Sequence, residues 1–184
     1  MILRELAMEN FGPYVGTTEV TFPESGVIVV HGKNGFGKTA LLNALTWCLY
    51  GTVYDRSGSP IGDEEFFNYN ARDDGAPRFT VALAFTHEDR SGETHVYRLR
   101  RIAQAPGGKA KPNKDGHLDL DQVLDIEIDG VIRNANIFDD VVNEVLPSGV
   151  SRFFLFDGEM IRDYEDLLDD DVSGSAILVK QSIE

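Results

Sequence analysis

The stretch Gly32-Lys33-Asn34-Gly35-Phe36-Gly37-Lys38-Thr39 decides the fold, because it has the pattern G-x-x-x-x-G-K-T between a predicted strand and a predicted helix. Before it, residues 27–30 read Val-Ile-Val-Val, which predicts a strand buried on both faces. After it, residues 40–50 predict a helix that ends at Gly51, with one apolar stripe formed by Leu41, Leu42, Leu45 and Leu49. This context predicts a nucleotide phosphate site; the alternative is a glycine-rich turn without a ligand.

The residue types of this loop suit a polyphosphate. Glycines let backbone N–H groups approach the phosphates, since no Cβ stands in the way. The helix start adds about half a positive charge. We expect Lys38 to reach the β- and γ-phosphates and the Thr39 hydroxyl to ligate the accompanying Mg²⁺. The predicted binding residues of the loop are Lys33, Asn34, Gly35, Phe36, Gly37, Lys38, Thr39 and Ala40.

Composition limits the classes of function. The chain has 184 residues, 42% of them hydrophobic, so one domain with one sizeable core is expected. A net charge of −14 argues against nucleic-acid binding over the whole surface. Cys48 is the only cysteine and is expected to pack in the core, and no apolar run has the length of a membrane span. These features predict a cytoplasmic protein with no membrane partner.

One stretch poor in acids carries a group of basic side chains. Its members are Arg98, Arg100, Arg101, Lys109, Lys111 and Lys114. They form either a solvated strand edge and loop or a local contact with DNA, and composition does not choose between these.

Alternating apolar and polar residues predict antiparallel strands in the rest of the chain. The turn Asn10-Phe11-Gly12-Pro13-Tyr14 joins the first two strands, and Asp129-Gly130 joins the last two. Residues 51–77 predict a loop near the ligand, and residues 105–116 a mobile surface loop. The predicted strands are 2–8, 18–22, 79–86, 95–102, 123–128 and 131–132, with a helix at 137–146.

A second motif, which contains acidic residues, follows that helix. Residues 152–156 predict a last, strongly apolar strand, and Asp157 stands at its carboxyl end, where open α/β sheets bind their ligands. There the carboxylate would lie near the Mg²⁺, with Glu159 as a conceivable base for the attacking water. The alternative is that Asp157 begins the next helix, because Asp-Gly-Glu suits the positive end of a helix dipole. The residues alone leave both interpretations open.

The order of four segments resembles a known family. Asn10-Phe11-Gly12-Pro13-Tyr14, the phosphate loop, Leu49-Tyr50-Gly51 and the segment Arg152-Phe153-Phe154-Leu155-Phe156-Asp157-Gly158-Glu159 are similar to the amino-terminal half of an SMC/SbcC-type ABC ATPase head. Within that family the likeness is greatest to the DndD group, which is associated with phosphorothioate modification of DNA and phage restriction. The resemblance implies an α/β fold: a P-loop NTPase lobe with an antiparallel β subdomain over residues 1–156. Over residues 157–184 it implies helices that lead to a coiled coil.

The resemblance also implies roles for individual residues. Lys38 and Asp157 would be catalytic, and Thr39 and Asp157 would ligate the metal. Where the family carries an arginine in the first turn, this chain has Gly12 or Pro13, so the α-phosphate contact differs. The implied cofactors are ATP and Mg²⁺. The implied nucleotide-binding residues outside the phosphate loop are Asn10, Phe11, Gly12, Pro13, Asn70 and Arg72.

The implied function is the ATP-binding lobe of an SMC-like, DNA-associated ATPase in DNA modification or restriction, repair or phage defence. Mg-ATP binding would pair two heads and hydrolysis would release them. The implied partners are the C-terminal half of the same head, a second head in a homodimer, DNA, and other modification or restriction proteins. The family's Leu-Ser-Gly-Gly signature, second acidic run and switch histidine do not occur in these residues, so the isolated chain is expected to hydrolyse ATP weakly or not at all.

Two alternatives from other classes stay open. One is a self-contained small P-loop kinase or GTPase, although the guanine-selecting pattern Asn-Lys-x-Asp fails at residues 113–116. The other is a non-hydrolysing, nucleotide-sensing interaction module that uses residues 98–114 to hold a partner or DNA.

Overall fold

The computed structural model describes residues 1–26, 28–33, 35–55, 57–73, 78–106, 118–151 and 155. The strands are β1 (Ile2–Glu9), β2 (Thr17–Thr21), β3 (Val53–Tyr54), β4 (Pro60–Ile61), β5 (Arg78–Glu88), β6 (Thr94–Gln104), β7 (Asp121–Ile128) and β8 (Val131–Arg133). The helices are α1 (Lys38–Tyr50), α2 (Tyr69–Asp73), α3 (Phe138–Val145) and α4 (Ser148–Ser151), with 3-10 turns at Asp63–Phe66 and Ala135–Ile137.

Six of these strands form one antiparallel sheet in the order β2-β1-β5-β6-β7-β8, and β3 pairs with β4 separately. The long hairpin of β5 and β6 is paired without a break from Arg78 opposite Gln104 to Glu88 opposite Thr94. The strand pairs predicted from alternation are therefore confirmed. So is the predicted α/β class with an antiparallel subdomain.

Strand β6 shows why alternation predicted a sheet with one solvated face. Its side chains alternate between the core and solvent along most of its length, so Tyr97 and Leu99 are buried while Arg98 and Arg100 are exposed. The turn between β7 and β8 uses Asp129 at φ +52° and Gly130 at φ +79°, which are the positive angles that a two-residue hairpin turn requires. Local chemistry thus specifies the hairpin of β7 and β8.

Helix α1 begins and ends close to where the sequence predicts. Gly51 closes it at φ +71° and donates its N–H to the carbonyl oxygen of Trp47 at 2.8 Å. The predicted leucine stripe is confirmed in part: Leu49 is buried, and Leu41 and Leu45 are partly buried against the core. The other buried residues of α1 are Ala44, Trp47 and Cys48. The buried face is set by contact with the sheet, where the rings of Trp47 and Phe79 lie 4.7 Å apart.

An aromatic cluster fills the space between α1 and the sheet. The ring of Phe11 stacks on Phe66 at 5.2 Å and meets Phe79 edge-on at 5.5 Å. Such pairs each contribute about 0.5–1.5 kcal/mol beyond the area that they bury. Because Phe11 belongs to the first turn and Phe66 to the loop after α1, and because the ring of Phe11 lies 6.1 Å from that of Trp47, this cluster holds both segments against α1.

The strand predicted at residues 27–30 is not formed at the described residues 28–30. The side chains of Ile28, Val29 and Val30 are 46%, 78% and 52% exposed, and none of the strands in the described part of the chain pairs with them. A strand needs a neighbour that accepts and donates its backbone hydrogen bonds. The β-branched run predicts a tendency to be buried, but it does not supply that neighbour.

The strand predicted at residues 152–156 is not formed at Leu155, where the N–H donates to the carbonyl oxygen of Ser151 at 2.7 Å, as in a helix. The rest of that segment, including Asp157, lies outside the described residues. So do Asn34, the predicted helices over 157–184 and most of the predicted loop at 105–116.

Candidate nucleotide-binding site

The phosphate loop is shaped by two glycines and ends at an uncapped helix. Gly35 and Gly37 have φ of +83° and +89°, which side chains on a Cβ rarely allow. No side chain of the described residues caps the N-terminus of α1, and its first turn has no acidic residue. A methyl group added at Gly32 or Gly35 would meet no described atom within 4 Å. The free backbone N–H groups and the dipole at the start of α1 suit an anion.

Lys38 lies over this loop. Its Nζ donates to the carbonyl oxygens of Gly32 at 2.9 Å and Lys33 at 3.0 Å, and the N–H of Phe36 closes the loop on Lys33 at 3.3 Å. The partners of the ammonium are thus two neutral carbonyl oxygens. A phosphate bound in the loop would offer it a negatively charged oxygen instead. Thr39 follows it with an exposed side chain. The donor set of an ammonium, a hydroxyl and backbone N–H groups fits a magnesium-bound polyphosphate.

The turn at residues 10–16 packs directly on this loop. The hydroxyl of Tyr14 donates to the carbonyl oxygen of Gly37 at 3.1 Å. A Cβ placed on Gly12 would lie 3.6 Å from the Cβ of Ala40. The structure therefore brings together two segments that the sequence predicted separately as parts of one site.

Asn68 joins a third predicted segment to this turn, and sequence reasoning missed it. Its Nδ2 donates to the carbonyl oxygen of Gly12 at 2.8 Å, while its Oδ1 accepts the N–H groups of Asn70 at 3.0 Å and Ala71 at 3.3 Å. The side chain is only 6% exposed. An asparagine immediately before a short helical segment is a known cap signal, and that signal could have found it.

The predicted site residues differ in how far they are exposed to solvent. Pro13 is exposed beside the loop, Asn70 is exposed in α2, and Asn10 turns the chain at φ +54°. The ring of Phe11 is fully buried in the aromatic cluster. The side chain of Phe11 is therefore not placed to contact a nucleotide, contrary to expectation. It supports the turn by packing in the core. Arg72 belongs to α2, beside Asn70.

A cavity of about 620 Å³ lies away from this loop and is acidic. Its lining is Asp55, Pro60, Ile61, Gly62, Asp63, Glu64, Glu65 and Leu118. Four carboxylates would repel a phosphate, so this cavity does not suit a nucleotide.

The basic stretch on β6 is not a free cationic surface. Arg98 pairs with Glu127 at 2.8 Å, and Arg100 pairs with Asp125. Arg101 is only 5% exposed and points to the core. The arginines of this stretch thus favour the solvated-strand interpretation over a DNA contact.

The remaining titratable groups do not form a second reactive centre in the part of the chain described above. Burial raises the pKa of the Cys48 thiol to about 12, which fits packing and not reactivity. No group of three or more His, Cys, Asp or Glu side chains among the described residues is arranged to hold a metal ion. Within the same residues, no helix has the length and apolar character needed to cross a bilayer.

Known proteins are similar to this chain in sequence. It is 33% identical over 118 residues to the SbcC component of the SbcCD nuclease of Treponema pallidum (strain Nichols), a match that covers 64% of the chain and 10% of that protein. It is 33% identical over 111 residues to the DNA double-strand break repair Rad50 ATPase of Halobacterium salinarum (strain ATCC 700922 / JCM 11081 / NRC-1), covering 60% of the chain and 11% of that protein. The matched part of this chain is thus about a tenth of the length of these relatives.

Two solved structures are distantly similar in fold. One comes from work on ATP-driven dimerization and DNA-stimulated activation of SMC ATPases; the TM-score is 0.48 at 17% identity, over 94% of this chain and 100% of that one. The other is an Smc head bound to the C-terminal winged-helix domain of ScpA; the TM-score is 0.47 at 16% identity, over 80% and 42% of the two chains. Both scores are too low to carry an argument.

A family model described as an AAA domain matches residues 5–180. Since that match covers nearly the whole chain, this protein belongs to the AAA domain family, and it is similar there to SbcC and Rad50.

Proposed function

We propose that this chain binds Mg-ATP at the start of α1 and serves as the amino-terminal, ATP-binding lobe of an SMC-like ATPase head. The observation that carries the proposal is the uncapped N-terminus of a 13-residue helix that begins with Lys38 and Thr39 and is preceded by a loop in which Gly35 and Gly37 have positive φ. Family membership supports ATP as the nucleotide.

Each group of the loop has a defined task in this proposal. Backbone N–H groups at the start of α1 hold the phosphate oxygens, and Lys38 exchanges its carbonyl partners for the β- and γ-phosphates. The hydroxyl of Thr39 would be one protein ligand for magnesium, which would supply positive charge to the phosphate oxygens. Tyr14 holds the carbonyl of Gly37 away from the phosphates, since its hydroxyl occupies that acceptor.

We further propose that Asp157 contacts the metal and the γ-phosphate and that Asn70 and Arg72 flank the base. These roles rest on the resemblance to SMC/SbcC-type heads. The same resemblance supports a cytoplasmic, DNA-associated ATPase of the DndD type that acts in DNA modification, repair or phage defence. The residues from 157 onward would then lead to a coiled coil.

Catalysis in this proposal is shared between two parts of a larger assembly. The curated relatives are about ten times longer than the part that matches, and transition-state charge must be stabilised from both sides of the transferred phosphoryl group. The exposed apolar run at Ile28, Val29 and Val30, directly before the phosphate loop, supports docking of the C-terminal half of the head there. A second head would complete the site.

The proposal is tested by calorimetry of Mg-ATP binding to the wild type and to Lys38→Ala. Loss of a charge-assisted contact worth about 1.5–3 kcal/mol predicts that the affinity falls by roughly 10- to 100-fold. Arg133→Ala, which removes an exposed cation on β8, is the matched control and should bind as the wild type does. Equal affinity of Lys38→Ala and wild type would contradict the assignment.

Two further measurements separate this proposal from its rivals. A preference for GTP over ATP in competition would favour a small GTPase instead. Rapid ATP hydrolysis that does not depend on protein concentration would argue against a site shared between heads. Slow hydrolysis that rises with protein concentration is the expected result.

A further inference from the structure

Arg101 is a buried cation at the C-terminal end of the phosphate-binding helix. Alternation along β6 turns it toward the core, where it is only 5% exposed. Its Nε donates to the carbonyl oxygen of Cys48 at 3.1 Å and its Nη2 to that of Leu49 at 3.2 Å. Its Nη1 donates to Oε1 of Gln122 at 2.7 Å. One side chain thus holds two successive carbonyls in the last turn of α1.

The guanidinium is stabilised mainly by dipoles and rings. The negative end of the α1 dipole faces it, and its carbon lies 5.0 Å from the ring centroid of Phe138 and 6.0 Å from that of Trp47. The carboxylates of Asp63 and Asp139 act on it at longer range. Removing such an ion from water is unfavourable, and an apolar residue of similar volume often stabilises a core equally well. Core packing alone therefore does not explain why position 101 is an arginine.

The bonds around Arg101 extend to three other elements. Gln122 on β7 donates its Nε2 to the carbonyl oxygen of Gly51 at 2.9 Å and to Oδ2 of Asp63 at 2.7 Å. Asp63 in turn accepts the indole N–H of Trp47 at 2.8 Å. We call Arg101, Gln122, Asp63 and Trp47 the α1 clamp. It fixes the last turn of α1 to β6, to β7 and to the 3-10 turn at Asp63–Phe66.

The opposite end of α1 is fixed through the same 3-10 turn. The carbonyl oxygen of Phe66 accepts the N–H of Gly12 at 2.6 Å, and the turn that contains Gly12 packs on Gly37 through Tyr14. A helix of 13 residues is a rod of about 20 Å, so a shift of its last turn also moves its first turn. Lys38 and Thr39 lie on that first turn.

We propose that Arg101 is a positioning residue for nucleotide binding, which sets the axial position and rotation of α1 and so the placement of Lys38 and Thr39. This inference rests on the proposed function. The planar guanidinium is suited to the task because its fixed fork of donors reaches two carbonyls at once. A lysine would keep the charge but would present a single ammonium on a flexible stem. Arg101→Lys therefore separates positioning from charge.

The test compares Arg101→Lys and Arg101→Met with Arg100→Lys and Arg100→Met, which make the same changes one residue away on the exposed face of β6. Mg-ATP affinity is measured by calorimetry on the 184-residue chain, at a temperature where circular dichroism shows each variant to be folded. A displacement of about 1 Å can cost up to about 100-fold in function. We expect the dissociation constant of Arg101→Lys to rise about tenfold, and those of the Arg100 variants to stay within about twofold of wild type.

Trp47 supplies a second readout, because it is the only tryptophan of the chain and belongs to the α1 clamp. Its emission should change when Mg-ATP binds to the wild type and should change less in Arg101→Lys at saturating nucleotide. If Arg101→Met does not fold, Arg101→Lys alone decides. A folded Arg101→Lys with wild-type affinity and a wild-type emission change would overturn this inference and leave the proposed function intact. Failure of the wild type to bind Mg-ATP would overturn both.

Discussion

Gly37→Ala tests the contact between the phosphate loop and the first turn. Gly37 has φ +89° and ψ 8°, a left-handed conformation that costs an L-residue about 1–2 kcal/mol. An added Cβ would lie 2.8 Å from the Tyr14 hydroxyl oxygen and 3.1 Å from Cγ of Pro13. The turn must then move, which breaks the hydrogen bond from Tyr14 to the Gly37 carbonyl, worth about 0.5–1.5 kcal/mol.

The two costs together predict that Gly37→Ala lowers the free energy of unfolding by about 1.5–3.5 kcal/mol. For a protein of this size that corresponds to a fall in Tm of about 3–14 °C. Urea unfolding followed by the fluorescence of Trp47 measures the change. Gly32→Ala is the control, since its φ lies outside the positive range and its Cβ would meet nothing within 4 Å. Its stability should change by no more than about 0.5 kcal/mol.

A double-mutant cycle with Tyr14→Phe isolates the part of the effect that comes from contact between the added Cβ and the Tyr14 hydroxyl. Removing the hydroxyl removes the 2.8 Å contact, so Gly37→Ala should cost less in the Tyr14→Phe background, by at least about 0.5 kcal/mol. Additivity of the two substitutions within about 0.3 kcal/mol would refute this reasoning, because it would show that the residues do not touch. Equal losses from Gly37→Ala and Gly32→Ala would refute the conformational part.

Two further predictions concern single titratable groups. Because burial raises the pKa of Cys48 to about 12, the thiol should resist iodoacetamide at pH 8 in the native protein and react in urea; rapid labelling of the native protein would contradict its burial. The hydrogen bond to Asp129 raises the pKa of His95 above 6.5, so the NMR titration midpoint of His95 should fall in Asp129→Asn, and an unchanged midpoint would disprove the pairing. Because the pKa is raised on folding, this stabilisation is fully present below pH 6.5 and is lost as pH rises through the folded value.

Local signals in the sequence predicted the elements whose stability is decided locally. Gly51 predicted the end of α1 and Asp129-Gly130 predicted a hairpin, because both depend on a backbone angle that few residues adopt. The strand predicted at residues 27–30 is not formed at the described residues 28–30, because pairing depends on a distant neighbour. The leucines of α1 predicted only part of its buried face, because contact with the sheet also buries Trp47.

The candidate site divides in the same way. The motif around Lys38 predicted the phosphate loop, and a resemblance placed the first turn near it. Neither could show that Asn68 ties that turn to α2, since its bond to Gly12 joins residues 56 positions apart. The alternation of β6 did contain the signal that Arg101 faces away from Arg98 and Arg100, but grouping them by charge hid it.

The sequence by itself determined that a glycine-rich loop opens a helix with Lys38 and Thr39 at its start. Spacing and backbone conformation along the chain are enough to specify that arrangement. Only the tertiary structure decided that Tyr14 holds the loop at one end of α1 and Arg101 holds the helix at the other. Those contacts depend on burial and on geometry between distant segments, and a charge such as that of Arg101 acquires its role only from the carbonyls and rings that surround it.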